Sequence, residues 1–358
     1  MLSCIQFRNY KALRDCRLPL DRITVLIGPN GAGKSTVLEA LQRVSERVRS
    51  LISRGGRPYS DHESVDAFIN VEAKRRDEWS VEIRCGFADP ASGALVLRWS
   101  AMPNRREKQP LLFSIGMDGA GAADEQLGIV PQPVMDFLRD VRVFTLDPKA
   151  IARPAQVEAT VQIAPSGANL AAVLDGLRDE WPERFEALNE ALPEWFPEFD
   201  RLLFDRPAAG KKSLLLRTRA GGYRLPACAL SDGTLIGLCL LTLAYLPNPP
   251  RILGLEEPGR GLHPRLLAKV HDALVRLAYP EQYGETRAPV QVVATTHSPY
   301  FIDLFKDHPE HVIIASKKGF DVRFESLADN SALRELISAS ALGDVWYSGV
   351  LGGVPVQP

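Results

Sequence analysis

The stretch Gly28 to Thr36 (GPNGAGKST) constrains this chain more than any other. Gly28, Gly33, Lys34 and Ser35 stand in the spacing G-x-x-x-x-G-K-[ST]. An apolar run, Ile23 to Ile27, precedes the stretch, and a helix-forming run, Val37 to Val48, follows it. Strand, glycine turn and helix start are what phosphate binding needs. The glycines let the backbone curl until several N–H groups point at one spot. The helix N-terminus adds partial positive charge. Lys34 then reaches the β- and γ-phosphates, and the Ser35 hydroxyl binds Mg²⁺. The pattern predicts a nucleoside-triphosphate site.

The 358 residues suffice for one large domain or for a core with an inserted lobe. At 45% hydrophobic and 24% charged, the composition is that of a folded globular protein. A formal net charge of −1 gives no global basic field for nucleic acid. DNA contact would therefore need a local patch or an assembly. Cations cluster locally at Arg54 and Arg57, Arg105, Arg106 and Lys108, Lys211-Lys212 and Lys317-Lys318. Most such runs are solvated faces. Cys4, Cys16, Cys85, Cys228 and Cys239 are odd in number and form no C-x-x-C. Reduced thiols, no zinc and a cytoplasmic location are expected. The N-terminus reads as a strand rather than a signal peptide. The longest apolar run, Leu235 to Leu246, is too short to span a bilayer, so no membrane role is expected.

In chain order, Leu2 to Phe7 and Cys16 to Leu20 read as strands with a bend at Asn9 to Lys11. Period-two alternation from Val65 to about Gly116 predicts an antiparallel sheet, and Gly116 to Glu125 a loop. Val141 to Leu146 is a further strand. Helices are expected at Ala168 to Leu177 and Pro182 to Leu192, with Ser166 and Trp181-Pro182 as start signals. RLLFD and SLLLRTR read as strands, and Thr234 to Tyr245 as a buried helix. Strand and helix then alternate: Arg251 to Leu255, Pro264 to Ala278, Val290 to Thr295, Tyr300 to Phe305. Strands His311 to Ala315 and Asp321 to Glu325 and a helix from Ser331 to Ser338 follow. Such alternation implies a parallel sheet.

Three further pieces carry chemistry. In RILGLEEP an apolar strand runs into Glu256 and Glu257, at the strand end where ligand chemistry belongs. One carboxylate suits Mg²⁺, a hard ion, and the other a water to be activated. LSDGT places Ser231, Asp232 and Gly233 at a helix start, either as a plain cap or as an anion seat. VVATTHSPYFID ends a strand in His297, within reach of the same phosphates if the strands are neighbours.

Together IQFRNYKAL, GPNGAGKST, LSDGT, EEPGRGLHP, THSPYFID and LGDVWYSGVLGG resemble the RecF/SMC-like group of ABC-type ATPase heads. Within that group they resemble the OLD-family and AbiEii toxin-like AAA family ATPases. The resemblance covers nearly the whole chain. It implies an α/β fold, a P-loop NTPase of ABC-ATPase type, with a mostly parallel core sheet, an antiparallel β subdomain (65–116) and an inserted helical lobe. The expected division is an N-terminal ATPase lobe (1–146), the helical lobe with connecting strands (147–229) and a C-terminal ATPase lobe (230–358).

By the same resemblance, Asn30, Gly31, Ala32, Gly33, Lys34, Ser35 and Thr36 hold the phosphates of ATP. Ser35 and Glu256 hold Mg²⁺, Glu257 is the base and His297 senses the γ-phosphate. Ser231, Asp232 and Gly233 complete the ATP site of a second subunit, so that a homodimer sandwiches two ATP molecules. The implied role is control of an effector, a nuclease or toxin on a separate chain, in bacterial anti-phage defence. Other readings are a RecF-like DNA clamp and a non-hydrolysing ATP-dependent scaffold. The signature has Asp232 and Thr234 where transporter cassettes have Gly and Gln, a form that relatives of this group share, and Gly259-Arg260 stands after Glu-Glu-Pro where close relatives are expected to have Glu-Asn. No glutamine-loop stands out; Asp147 occupies its expected place. There is no acidic nuclease cluster and no coiled-coil heptad pattern.

Overall fold

A computed structural model describes residues 1–55, 69–75, 80–89, 93–100, 112–118, 129–157, 162–329 and 342–347. It consists of two compact units, Met1–Val141 with Phe305–Pro358, and Arg142–Leu304.

In the first unit, β1 (Leu2–Tyr10) and β2 (Leu13–Pro19) form an antiparallel hairpin. Its turn is held in an uncommon backbone: Asn9 and Lys11 have φ of 55° and 46°. Asn70 locks that turn. Its N–H donates to Asn9 O at 2.8 Å and its Nδ2 to Lys11 O at 2.6 Å. β3 (Ile23–Ile27) is buried at every position and runs into the phosphate loop. α1 (Lys34–Ser53) leaves the loop with Val37, Leu38, Leu41, Val44, Val48 and Leu51 buried, the stripe of a one-faced helix.

α2 (Val71–Arg75) corrects the expectation of a strand beginning near Val65. Ile69 makes one bridge to Tyr10, and then Asn70 starts the helix. Its Oδ1 accepts from Glu72 N at 2.9 Å and Ala73 N at 3.4 Å. A local cap therefore overrides weak alternation. The alternation does hold for β4 (Ser80–Phe87), β5 (Ala94–Ser100) and β6 (Leu112–Asp118). With the hairpin they form an antiparallel sheet ordered β2-β1-β4-β5-β6. Trp99 is fully buried in it, its ring 5.0 Å from that of Phe113. The expected loop at Gly116 starts later, because β6 pairs with β5 through Asp118. α3 (Gln132–Leu138) follows.

β7 (Val141–Phe144) leads into the second unit and ends two residues earlier than expected. Asp147 then caps α4 (Pro148–Ile151), accepting from Lys149 N at 3.0 Å. After β8 (Ala155–Gln156) come α5 (Leu170–Glu180) and α6 (Pro182–Trp195). Asn169, not Ser166, stands at the start of α5; its amide bonds Ala164 N and Gln162 O instead of the helix. β9 (Phe199–Asp205), β10 (Lys211–Thr218) and β11 (Arg224–Pro226) pair antiparallel, so the inserted lobe has a sheet of its own. Lys212 on β10 reaches the buried Asp175 of α5 at 2.7 Å, and Arg178 shares that carboxylate at 2.7 Å. Such a buried carboxylate is tolerable because two cations face it.

α7 (Asp232–Tyr245) is buried along nearly its whole length, as its unbroken apolar run predicts. β12 (Ile252–Glu256) and β13 (Gln291–Thr295) pair in parallel, connected by α8 (Pro264–Ala278). α9 (Pro299–Asp303) starts at a Ser298 cap. Back in the first unit, β14 (Val312–Lys318) lies parallel to β3 and antiparallel to β15 (Asp321–Ser326). α10 (Leu342–Tyr347) comes last. The expected helix at 331–338 and the cations Arg57, Arg105, Arg106 and Lys108 lie outside the described residues.

All five cysteines are free thiols. Burial pushes the thiols of Cys85 and Cys239 up to about 12, so neither offers a thiolate at neutral pH. Among the described residues, no helix is long and apolar enough to cross a membrane.

Candidate nucleotide site

The phosphate loop belongs to the first unit. Gly28, Gly31 and Gly33 have φ of 153°, 78° and 83°. These values explain the glycines one by one. A Cβ on Gly28 would stand 2.2 Å from Ala315 O of β14, and one on Gly33 2.6 Å from Leu13 Cδ2 of the hairpin. At Gly31 nothing lies within 4 Å, so only backbone conformation selects glycine there. Ala32 is buried beneath the loop and donates to Pro29 O at 3.2 Å, while Asn30, Gly31 and Ser35 are exposed. Thr36 is half-buried.

Gly33 precedes α1 and offers no side-chain cap, which leaves the first N–H groups of the helix for an anion. Lys34 is 6% exposed, and its ammonium donates to Gly28 O at 2.8 Å and Pro29 O at 3.1 Å. The cation is thus folded over the mouth of its own loop. A glycine cradle, an uncapped helix start and a cation at one place fit a polyphosphate.

The other expected residues lie in the second unit. Glu256 ends β12, and Thr145, just past β7, donates its hydroxyl to Glu256 Oε2 at 3.0 Å. Thr145 carried no sequence signal: it follows a short strand and matches no motif. Glu257 has φ of 49°, a left-handed backbone that a side-chain-bearing residue rarely adopts. Its N–H donates to Thr295 O at 3.1 Å and to Thr295 Oγ1 at 3.3 Å. These bonds offset a strain of about 1 kcal/mol. His297 closes on the same carboxylate: its N–H donates to Glu257 Oε2 at 3.2 Å, and its Nε2 lies 3.8 Å from Oε1. The parallel register that sets Glu256 opposite Thr295 brings Glu257 and His297 together.

Ser231 caps α7 as expected, accepting from Thr234 N at 3.1 Å. Ser231 and Asp232 are exposed. The carboxylate of Asp232 sits in the first turn of α7, where the helix dipole favours negative charge. Gly233 packs against the loop after Glu257; a Cβ there would be 3.0 Å from Gly261 O. A cavity of about 560 Å³ opens between the start of α7, the end of β12 and the segment after β7. Its walls include Thr145, Asp147, Asp232, Glu256, Glu257 and Arg260. Asp147 thus lines the same space as Glu256, although its side chain is engaged as the α4 cap. Arg260 supplies a cation among four carboxylates. A carboxylate pair beside a hydroxyl suits a hard divalent ion, since such ions take oxygen ligands.

The fold is similar to two solved Smc heads. One, bound to the C-winged helix domain of ScpA, aligns with a TM-score of 0.55 at 15% identity, covering 92% of this chain and 99% of that one. The other, from Pyrococcus furiosus with an extended coiled coil and bound to the C-terminal domain of ScpA, gives 0.53 at 14%, covering 94% and 99%. Fold and site together define an α/β head of the ABC-type P-loop ATPase class. The family model described as "AAA domain, putative AbiEii toxin, Type IV TA system" matches residues 123–303, and that described as "AAA ATPase domain" matches residues 1–193. Each covers more than half of the chain, which belongs to this AAA ATPase family.

Curated relatives match shorter stretches. The OLD nuclease of Thermus scotoductus is 48% identical over 44 residues, 12% of this chain and 8% of that protein. The phosphate import ATP-binding protein PstB of Parasynechococcus marenigrum is 33% identical over 75 residues, 20% of this chain and 28% of that one. This chain therefore matches less than a third of the length of either relative.

Proposed function

We propose that this chain hydrolyses ATP to ADP and phosphate, pairing with a second copy of itself around the nucleotide. The observation that supports hydrolysis most directly is Glu257, held by Thr295 in a strained backbone with its carboxylate against His297. A carboxylate fixed at a strand end is poised to take a proton from water. In this reading Lys34 leaves the carbonyls of Gly28 and Pro29 for the β- and γ-phosphates. Asn30, Gly31, Ala32, Gly33 and Thr36 cradle the phosphates through the loop and the start of α1. Ser35 and Glu256 hold Mg²⁺, which neutralises charge on the phosphate oxygens when bound. Thr145 fixes the Glu256 carboxylate in its rotamer. His297 senses the γ-phosphate through its contact with Glu257.

Ser231, Asp232 and Gly233 serve the site of the second copy. Ser231→Arg and Lys34→Ala are each inactive alone in this scheme. Mixed, they recover one working interface per dimer, read as phosphate release. Absence of any recovery at ATP concentrations that saturate the wild type counts against the shared site.

The biological role we propose is cytoplasmic: ATP-driven pairing controls a nuclease or toxin on a separate chain, as part of anti-phage defence. Family membership and the partial likeness to an OLD nuclease support this reading. In cells carrying this chain and its neighbouring genes, phage plating falls clearly below that in cells without them. Lys34→Ala restores plating. Plating that is indifferent to Lys34 rejects the defence role. Duplex DNA alone raising turnover points instead to a DNA clamp.

A further inference from the structure

A second cluster lies far along the chain from the phosphate loop. His308, Glu310 and His311 each place one ligand-type atom so that all three lie within 4.8 Å of one another. We infer that these residues form a site for a borderline-soft divalent transition metal, of which Zn²⁺ is the type.

The local sequence builds it. Pro309 to His311 is a single 3₁₀ turn, closed by His311 N donating to His308 O at 3.0 Å. Proline presets the backbone of that turn. The turn brings the side chains before, within and at the end of it to one side. His311 is 6% exposed and packs edge-on against Phe305 at 6.5 Å, so its ring is held in place. The His308 ring stacks on it at 5.4 Å with an interplanar angle of 25°. Nδ1 of His308 lies 3.0 Å from Glu310 Oε1.

A plain surface hydrogen bond between His308 and Glu310 would need one imidazole only. Here a second, buried imidazole places a ligand-type atom within 4.8 Å of both the first and the carboxylate. Two imidazoles and one carboxylate form a three-ligand set of a kind zinc uses, with a fourth position left for water or an added ligand. Ligands of a tetrahedral zinc are about 3.3 Å apart, given bonds of about 2.0 Å. The widest separation here exceeds that by about 1.5 Å at most, and the His308 and Glu310 side chains, 61% and 47% exposed, are the ones with room to close it. Imidazole donors favour Zn²⁺, Co²⁺ or Ni²⁺ over Mg²⁺ or Ca²⁺. This distinguishes the cluster from the oxygen-lined surroundings of Glu256. It also revises the expectation that the chain has no use for zinc, which rested on cysteine spacing alone.

The test uses the full chain in buffer containing Mg²⁺. Zn²⁺ binding is followed by calorimetry, and Co²⁺ as a probe by its visible absorption. The expected result is one Zn²⁺ per chain. Binding weakens at least about 10-fold in His308→Ala and in Glu310→Gln, since even outer partners of a metal carry that much. The side chains of His308 and Glu310 are 61% and 47% exposed, so these variants keep the fold, checked by an unchanged thermal midpoint without metal. Zn²⁺ raises the midpoint of the wild type and not that of the double variant. Isotherms of the two variants superimposing on the wild type would overturn the site. So would loss of binding in His297→Ala with retention in His308→Ala, which would assign the metal to Glu257 and His297.

Discussion

Glu257→Gln binds ATP and scarcely turns it over. Phosphate release falls at least about 100-fold, the lower range for removing a positioned general base. Glutamine keeps the shape of glutamate and one carbonyl oxygen. It can still accept the His297 N–H that Glu257 accepts at 3.2 Å, so the strand end keeps its geometry. What it loses is the capacity to take a proton. Equilibrium ATP binding and single-turnover phosphate release, measured on the same preparation, separate the two effects. Because ATP is not consumed, paired heads accumulate and elute earlier in gel filtration when ATP is present. Turnover by the variant within a few-fold of wild type would remove Glu257 as the base, and with it the hydrolytic reading. Glu256→Gln behaves differently. It weakens the response to Mg²⁺ first, since Glu256 is the carboxylate steadied by Thr145 at 3.0 Å.

Gly28→Ala unfolds or severely destabilises the first unit, by about 3 kcal/mol or more, whereas Gly31→Ala costs about 1 kcal/mol. The two glycines share a loop and a motif, and both have positive φ. They differ in what surrounds them. An added methyl at Gly28 meets the carbonyl of Ala315 at 2.2 Å, a backbone atom that cannot move without parting β14 from β3. At Gly31 the methyl meets nothing within 4 Å and pays only the conformational penalty. Urea unfolding of the two variants side by side gives the comparison. Equal stabilities would mean that the packing of β3 on β14 has been misassigned.

Much of the site was legible in the sequence because its parts are local. A glycine loop between a buried strand and an amphipathic helix is written in consecutive residues, and β3 and α1 form where that pattern puts them. Ser231 capping α7, and Glu256 ending an apolar strand, are likewise short-range facts. The expectation failed where a side chain competed with periodicity. Asn70 caps a helix at Val71–Arg75 within a segment that alternates like a strand, and nothing in the alternation announces that cap. β7 stops early for the same kind of reason, as Asp147 turns to hold Lys149 N.

By itself, then, the sequence determined the class of protein, a P-loop ATPase head, and the order of its candidate site residues along the chain. Only the tertiary structure decided which of them act together. Thr145 reaches Glu256 across 111 positions, His297 reaches Glu257 across 40, and the need for Gly28 is set by Ala315 on a strand near the other end of the chain. The physical reason is that hydrogen bonds and steric exclusion act over a few ångströms of space, and parallel strand pairing makes neighbours of residues that no sequence window contains.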